Sequence, residues 1–409
     1  SQVFRLIISS TFLKIAVRLI SKLEEMTYEI PTEDLELVSR LAYGNFTCNV
    51  TLEEISYAKS VAVSLINKLI RIQSLLSLTK YFASRFPALR SKLEKIEGFV
   101  NDLLKYRSIA FKAVIMYPRV KILVKIAEQV REFYNEWSIA KERFWSAINN
   151  VTTYVNEHEE EILDGTIPEK LESLVFSVEN STFTLMEILN AVAKIRRLLQ
   201  YQMDCPLKQS IMEFMNTYLN ATAMEEDYLN AVNCLTDVHA LASSVIVSVK
   251  LRMVYDEYLS LLENTSTALD ERPLNSTRLQ FLINETANAL NTIIRLMNMW
   301  NNLYRRNWTN ETIASIALEL LNKSKYIIDM KDEISATNLA LILLRDIVNY
   351  YNQVYEIAKN DNTTVIPGAL QSLEELVPIP NELKQIYSDL RTILRLRKKI
   401  YDIYIMVKA

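Results

Sequence analysis

Apolar residues recur at spacings of three and four along nearly the whole chain, a periodicity typical of amphipathic α-helices. The pattern breaks where glycine, proline or an Asn-x-Ser/Thr triplet appears. We therefore predict an all-α protein without a sheet, an elongated multi-helix bundle or helical array of about 12 long antiparallel helices with short connections. The predicted helices cover residues 2–26, 33–43, 52–82, 88–117, 119–157, 168–202, 206–222, 225–263, 274–305, 311–332, 335–360, 368–376 and 381–408.

The segment 278–304 has the clearest helical stripe. Its apolar face has heptad-like spacing and places Asn284 on the solvent side. The members of this face are Leu279, Ile283, Thr286, Leu290, Ile293, Met297, Trp300 and Tyr304. The run 339–344 is instead apolar all round, which predicts that helix 335–360 lies at the centre of the C-terminal part.

Two helix starts have the sequence of a capping box, in which a threonine and the glutamate three residues later bond each other's backbone N–H groups. One begins at Thr51 and the other at Thr166. Around the second, residues 164–168 form a break, and residues 270–273 form another. These breaks predict an N-terminal region 1–165, a middle region 166–271 and a C-terminal region 272–409, with one continuous array as the alternative.

The most apolar stretch, 109–130, carries four basic residues and Pro118, so we interpret it as a kinked buried helix. No segment reaches eighteen uncharged apolar residues, which predicts that no transmembrane helix is present. The chain opens on Ser1 without a methionine or a signal peptide, as expected of a processed or trimmed chain.

Composition argues against several classes of function. The chain has four glycines where average usage would give roughly 29, and a nucleotide site needs glycines where backbone meets phosphate. The two histidines lack the spacing of a metal or nucleophile motif, and His158 among glutamates fits a solvated acidic helix end. We predict no cofactor, no metal and no enzyme activity. A secreted hydrolase that uses only carboxylates remains the enzymatic alternative.

The net charge of −3, with both signs interleaved, predicts no nucleic-acid binding. Basic residues concentrate on the first helix, at Arg5, Lys14, Arg18 and Lys22, of which the last three share one face, and on the last helix, within 391–399. We expect these faces to be solvated or paired with acidic residues. The alternatives are contact with an anionic membrane surface, with an acidic partner or between subunits.

Sequons for N-glycosylation are the strongest functional signal. Twelve occur, whereas the composition predicts roughly 4, and ten of them use threonine although serine is the commoner residue. Their asparagines are Asn45, Asn49, Asn150, Asn180, Asn220, Asn264, Asn275, Asn284, Asn307, Asn310, Asn322 and Asn362. A general preference of asparagine and threonine for loops and helix caps would enrich the serine form equally. We therefore expect an exported chain that carries N-glycans on several of these residues.

The heptapeptide NFTCNVT, residues 45–51, holds two sequons and one of only three cysteines. In an oxidising compartment two cysteines are expected to pair, and Cys205 with Cys234 is the pair we predict. Pairings through Cys48 stay open. Between two glycans we expect Cys48 to be buried or bridged.

Together these patterns predict an extracellular or cell-surface glycoprotein with a structural or adhesive role. It would pack with copies of itself or with other surface proteins, as a subunit of a surface layer, sheath or filament. The alternative from another class is a monomeric secreted or surface ectodomain that binds a ligand or receptor.

Overall fold

The protein is all-helical in the computed structural model, which describes residues 2–270 and 274–360 and has no strand among them. The helices are α1 (Gln2–Tyr28), α2 (Thr32–Tyr43), α3 (Leu52–Ala83), α4 (Arg90–Glu157), α5 (Glu159–Leu163), α6 (Leu171–Gln200), α7 (Pro206–Tyr218), α8 (Ala221–Asp270), α9 (Ser276–Tyr304), α10 (Glu311–Asp329) and α11 (Lys331–Asn360). A 3₁₀ turn, Pro87–Leu89, precedes α4. The predicted helices 368–376 and 381–408 lie outside the described residues.

The chain forms two compact units that are each discontinuous in sequence. Unit 1 comprises residues 1–143 and 181–230, and unit 2 comprises 144–180 and 231–409. In unit 1, α1 and α2 both pack against α3. In unit 2, α11 packs mainly against α9, and α10 contacts α9, α5 and α11. The three consecutive regions predicted from the sequence divide the chain differently and stay a prediction.

Helix α4 continues through Pro118, where the sequence predicts two helices, 88–117 and 119–157. A proline in a helix interior removes one backbone hydrogen bond and costs about 3 kcal/mol. Buried residues on both sides, Ala113 before Pro118 and Val120 and Leu123 after it, belong to one apolar face. We attribute the uninterrupted helix to this packing, which opposes the local preference for a break.

The two predicted capping boxes have different outcomes. The box at Thr51 is confirmed, because its hydroxyl accepts from Glu54 N and the Glu54 carboxylate accepts from Thr51 N at 2.8 Å. The box at Thr166 is wrong, because α6 begins only at Leu171. Thr166 N instead donates to the Glu161 carbonyl at 2.9 Å, so this threonine completes the turn that ends α5.

The stripe predicted on α9 is confirmed as far as Trp300, with Leu279, Ile283 and Ile293 also buried and Asn284 exposed. Its last predicted member, Tyr304, is wrong, because this residue is 42% exposed at the end of the helix. The central position predicted for α11 is wrong. Leu339 and Leu343 are 59% and 49% exposed, because α11 packs one face against α9 and no other described helix covers these two residues. A run of apolar residues therefore did not indicate burial on all sides here.

Candidate functional site

The sequons fall into two structural groups, and the first lies outside the helices. Among the described residues, six asparagines lie outside a helix, and all six begin a sequon. Five of them are exposed, and Asn310 is half-buried. These asparagines are Asn45, Asn49, Asn220, Asn275, Asn307 and Asn310.

The second group lies within helices, and each of its asparagines is exposed. The five are Asn150, Asn180, Asn264, Asn284 and Asn322. Residues two apart on a helix point about 200° apart, so the sequon hydroxyl tends to face the core. Thr152, Thr286 and Ser324 are buried in this way and donate to the carbonyl four residues earlier, at 2.8 to 3.1 Å. Asn362 lies outside the described residues.

The segment 45–51 alternates strictly between the two environments. Phe46, Cys48 and Val50 are buried, whereas both sequon asparagines and both threonines are exposed. Two polar contacts hold its middle: Cys48 N donates to Ser210 Oγ at 2.9 Å, and Arg131 Nη1 donates to the Cys48 carbonyl at 2.6 Å. The expectation that Cys48 is buried between two sequons is confirmed.

The cysteine pairing predicted from the sequence is wrong, because all three cysteines are free and buried. Cys205 caps α7 in unit 1 and packs against Gly44, whereas Cys234 lies within α8 in unit 2 beside Asn310. Burial raises the pKa of the Cys48 and Cys234 thiols; Arg131 partly opposes this at Cys48, as does the Asn310 hydrogen bond at Cys234. The spacing of the cysteines in the sequence could not show that Cys205 packs against Gly44 and Cys234 against Asn310.

The turn between α9 and α10, residues 305–310, is organised by a carboxylate that sequence reasoning missed. Asp237 on α8 is fully buried and accepts hydrogen bonds from Thr309 N, Thr309 Oγ1 and Asn310 N at 2.6 to 2.8 Å and from Arg306 Nη2 at 3.2 Å. Burial raises the pKa of Asp237, but these hydrogen bonds outweigh it and hold the pKa below its usual value. The available sequence signal was a lone acid in the stretch 228–249, which contains no other Asp, Glu, Lys or Arg.

A surface groove of about 530 Å³ lies between α4 and α6 in unit 1. Small residues, Ala140 on α4 and Ala191 on α6, leave the space between the helices, and Ile188 is a buried wall residue. Glu136 and Glu187 line the same groove and are both exposed. Arg143 also lines the groove, so its charged lining residues sum to −1. The volume fits a small ligand, and the apolar walls with this small negative excess suit an amphipathic cation.

Neither histidine belongs to a cluster of metal-binding groups, since no group of three or more His, Cys, Asp or Glu with suitable geometry occurs among the described residues. His158 Nδ1 lies 2.9 Å from the Tyr154 carbonyl, and the His158 ring packs against the Tyr154 ring. His239 Nε2 lies 3.1 Å from Glu179 Oε1 at the surface. The His158 contact is local, whereas the His239 contact joins α8 to α6.

The basic face of α1 is exposed at Lys14, Arg18 and Lys22. Lys22 Nζ donates to Glu25 Oε2 at 2.7 Å, and this hydrogen bond and the charge of Glu25 raise the pKa of Lys22. For Lys22, this exposed pair agrees with the interpretation that the basic face is solvated or paired with acidic residues. The basic residues within 391–399 lie outside the described part of the chain.

Two stretches, Leu52–Ala83 and Pro206–Asp270, are long and apolar enough to cross a membrane by length and composition. In their most apolar windows, 33% and 56% of the residues are buried, respectively. Core helices of soluble proteins have the same composition, and both stretches supply buried residues such as Leu69 and Leu241. The two helices are therefore weak evidence for a membrane crossing, and the absence of a transmembrane helix stays a prediction.

Comparison of the chain with protein-family models, with curated proteins and with solved structures found no match.

Proposed function

We propose that this chain is an extracellular, N-glycosylated structural or adhesive protein, a subunit of a cell-surface assembly such as a surface layer, sheath or filament. The observation that carries the proposal is the use of asparagine outside helices. All six such asparagines in the described residues begin a sequon, compared with five of the 23 inside helices. Composition alone predicts that about one asparagine in seven begins a sequon in either group.

Helix capping does not account for this bias. Asn275 and Asn310 are N-caps whose Oδ1 atoms accept from backbone N–H groups, so capping explains why an asparagine stands there. It makes no demand on the residue two positions later. Selection for a glycan acceptor does require a serine or threonine there, and five of the six asparagines are exposed and accessible to such modification.

The sequons are unevenly divided between the two units. Among the described residues, unit 1 contains three of them and unit 2 contains eight. Large exposed apolar side chains show the opposite distribution, with 22 in unit 1 and 10 in unit 2 among the described residues. A surface with few glycans and many exposed apolar groups is suited to protein–protein contact.

Residues 52–149, which form α3 and most of α4, contain no sequon. Val63, Ile70 and Leu78 lie on one side of α3 at heptad-like spacing, and each is at least 40% exposed. We assign this α3 stripe to contact with a second copy of the chain, because a repeating assembly must bury the same surface on every subunit.

The proposal includes the finer architecture expected from the sequence. About 12 antiparallel helices in three regions or one continuous array would give the subunit rigid faces for such contacts. Electron microscopy of the assembled particle would test this arrangement directly.

The glycoprotein part of the proposal is tested on protein from its native source, by intact mass spectrometry before and after enzymatic deglycosylation. We expect a loss of mass that corresponds to several glycans. An unmodified chain recovered as a cytoplasmic monomer would overturn the proposal.

The assembly part is tested by analytical ultracentrifugation and electron microscopy of the full chain and two variants. Ile70→Glu places a charge on the α3 stripe and should dissolve large particles into monomers. Phe281→Glu makes the same kind of change on an exposed side chain of unit 2 and should leave the particles intact. Equal behaviour of the two variants would contradict the assignment of the α3 stripe.

The groove between α4 and α6 favours a second candidate, a monomeric ectodomain that binds a ligand. Its carboxylates are solvent-exposed, whereas a general acid typically works from an apolar surrounding, so the groove supports binding better than hydrolysis. Isothermal titration with amphipathic amines would test it. Binding that is lost in a Glu136→Gln, Glu187→Gln double variant of a monomeric protein would favour this candidate over assembly.

A further inference from the structure

Two sequons follow each other directly in the turn that ends α9 and begins α10. The first is Asn307-Trp308-Thr309, and the second starts at Asn310. Asn307 is exposed, whereas Asn310 is half-buried. The structure therefore treats two acceptors of the same sequence type differently, although they lie only three residues apart.

Both ends of the Asn310 side-chain amide are engaged inside the fold. Its Oδ1 accepts from the backbone N–H groups of Thr312 and Ile313, each at 3.1 Å. Because both partners are donors, the atom between them must be the oxygen, and the nitrogen must be the other atom. That nitrogen, Nδ2, lies 3.8 Å from Sγ of the buried Cys234 on α8.

An N-glycan is attached through Nδ2, so the direction of this atom decides whether a sugar has room. At Asn310 one of the two N–H bonds of Nδ2 points toward Cys234 Sγ, so a sugar has to replace the other hydrogen on a side chain that is half-buried and fixed at both ends. Capping alone is not the obstacle: Asn275 caps α9 through Oδ1 in the same way, at 3.0 and 3.2 Å, and is exposed. The difference between these two caps is the surface against which the amide nitrogen packs.

Asn310 is also held by its backbone. Asn310 N and Thr309 N both donate to Asp237 at 2.8 Å, which ties the start of α10 to α8. Rotating Nδ2 outward would break the two capping bonds at Oδ1, and rotating the whole residue would break the bond to Asp237. Asn307 precedes these contacts in the turn and is exposed to solvent.

We propose that the folded, exported protein carries one glycan on this turn, at Nδ2 of Asn307, and that Asn310 stays unmodified. The donor is an activated sugar with a diphosphate leaving group. A bond forms between Nδ2 and the anomeric carbon, the bond from that carbon to the diphosphate oxygen breaks, and one amide proton is released. No oxidation or reduction is involved. This inference rests on the proposed function, because it requires a chain that meets the glycosylation machinery.

The test uses the full chain secreted from a host that performs N-glycosylation. Enzymatic deglycosylation in heavy-oxygen water converts each occupied asparagine into a labelled aspartate, which peptide mass spectrometry locates. We expect the label at Asn307 and none at Asn310. A label at Asn310, or at neither residue, would overturn the assignment.

Two matched variants give an independent readout. Asn307→Gln removes the first sequon and should lower the intact mass by one glycan. Thr312→Ala removes the second sequon without touching Asn310 or its backbone caps, and it should lower the intact mass by no glycan. Loss of a glycan in Thr312→Ala, or no loss in Asn307→Gln, would contradict the inference. A native protein without glycans would overturn the proposed function alone, because the secreted chain tests the site separately.

Discussion

Replacing Asp237 by alanine should destabilise the protein more than any exposed carboxylate would. The fully buried carboxylate accepts four hydrogen bonds from Arg306, Thr309 and Asn310. Each buried donor left without a partner costs about 1–3 kcal/mol, and removing one partner of a buried ion pair costs about 3–5 kcal/mol. These costs overlap, so we expect the free energy of unfolding to fall by about 3–5 kcal/mol.

Asp237→Asn should have an intermediate effect. Three of the four hydrogen bonds go to Oδ2 and one to Oδ1, so an amide oxygen at the Oδ2 position keeps three acceptor contacts. The amide nitrogen would then face the guanidinium of Arg306, where donor meets donor. We expect a loss of about 1–3 kcal/mol, the usual cost of leaving a buried donor without a partner.

The assay is urea unfolding followed by circular dichroism, with Asp256→Ala as the control. Asp256 lies on the same helix, is 49% exposed and pairs with Arg252 at 3.1 Å, so its removal should cost about 0.2–1 kcal/mol. An Asp237→Ala variant within 1 kcal/mol of that control would refute the reasoning, as would an Asp237→Asn variant as stable as the wild type.

The pH dependence follows from the lowered pKa of Asp237. Its folded pKa lies below the unfolded value of about 3.9, so folding favours the ionised carboxylate. The stabilisation is complete above the unfolded pKa and is lost as the pH falls through the folded pKa. The stability difference between wild type and Asp237→Asn should therefore shrink below about pH 4, and a constant difference would contradict this.

Three further outcomes are expected. Gly44→Ala should destabilise the protein by about 1–3 kcal/mol, because Gly44 has φ +62° and an added Cβ would lie 3.0 Å from Cys205 Cβ. Gly98 lies inside a helix, and an added Cβ would meet nothing within 4 Å, so Gly98→Ala should stabilise the protein by about 0.5–1 kcal/mol. Thermal unfolding of the two variants checks both expectations. Without reductant, all three thiols should react with iodoacetamide slowly in the native state and fully in denaturant. Cysteines that stay unreactive in denaturant would indicate a disulfide and contradict this expectation. Thr51→Ala should lower the free energy of unfolding by about 1 kcal/mol and abolish the Asn49 sequon, whereas Thr51→Ser should keep both the helix cap and the sequon. Unfolding of the deglycosylated protein measures the stability, and glycopeptide mapping measures the occupancy of Asn49.

Local sequence signals predicted the parts of the fold that local contacts decide. The stripe on α9 and the capping box at Thr51 both depend on residues within a few positions of each other. Pro118 and Thr166 carry equally clear local signals, yet α4 continues and α6 starts late. At Pro118 the outcome depends on which side chains are buried along α4, and one sequence does not reveal that tertiary packing.

The site shows the same division between local and distant information. Sequons are local, so all twelve could be read directly, and Asn284 was correctly placed in solvent from helical periodicity. The difference between Asn307 and Asn310 depends on Asp237 and Cys234, about seventy residues earlier. No spacing rule joins these residues, because the packing of α8 against the turn brings them together.

The three free thiols bear on the proposed export of the chain. Exported proteins usually pair their cysteines, since an exposed thiolate is oxidised or exchanged in an oxidising compartment. Each thiol here is buried, and burial raises the pKa of Cys48 and Cys234, which lowers the fraction of reactive thiolate at a given pH. Cys48 lies between two exposed sequons, where glycans on Asn45 and Asn49 would add a steric screen. Burial can therefore protect these thiols where a disulfide otherwise would, so free cysteines and an extracellular role are compatible in this fold.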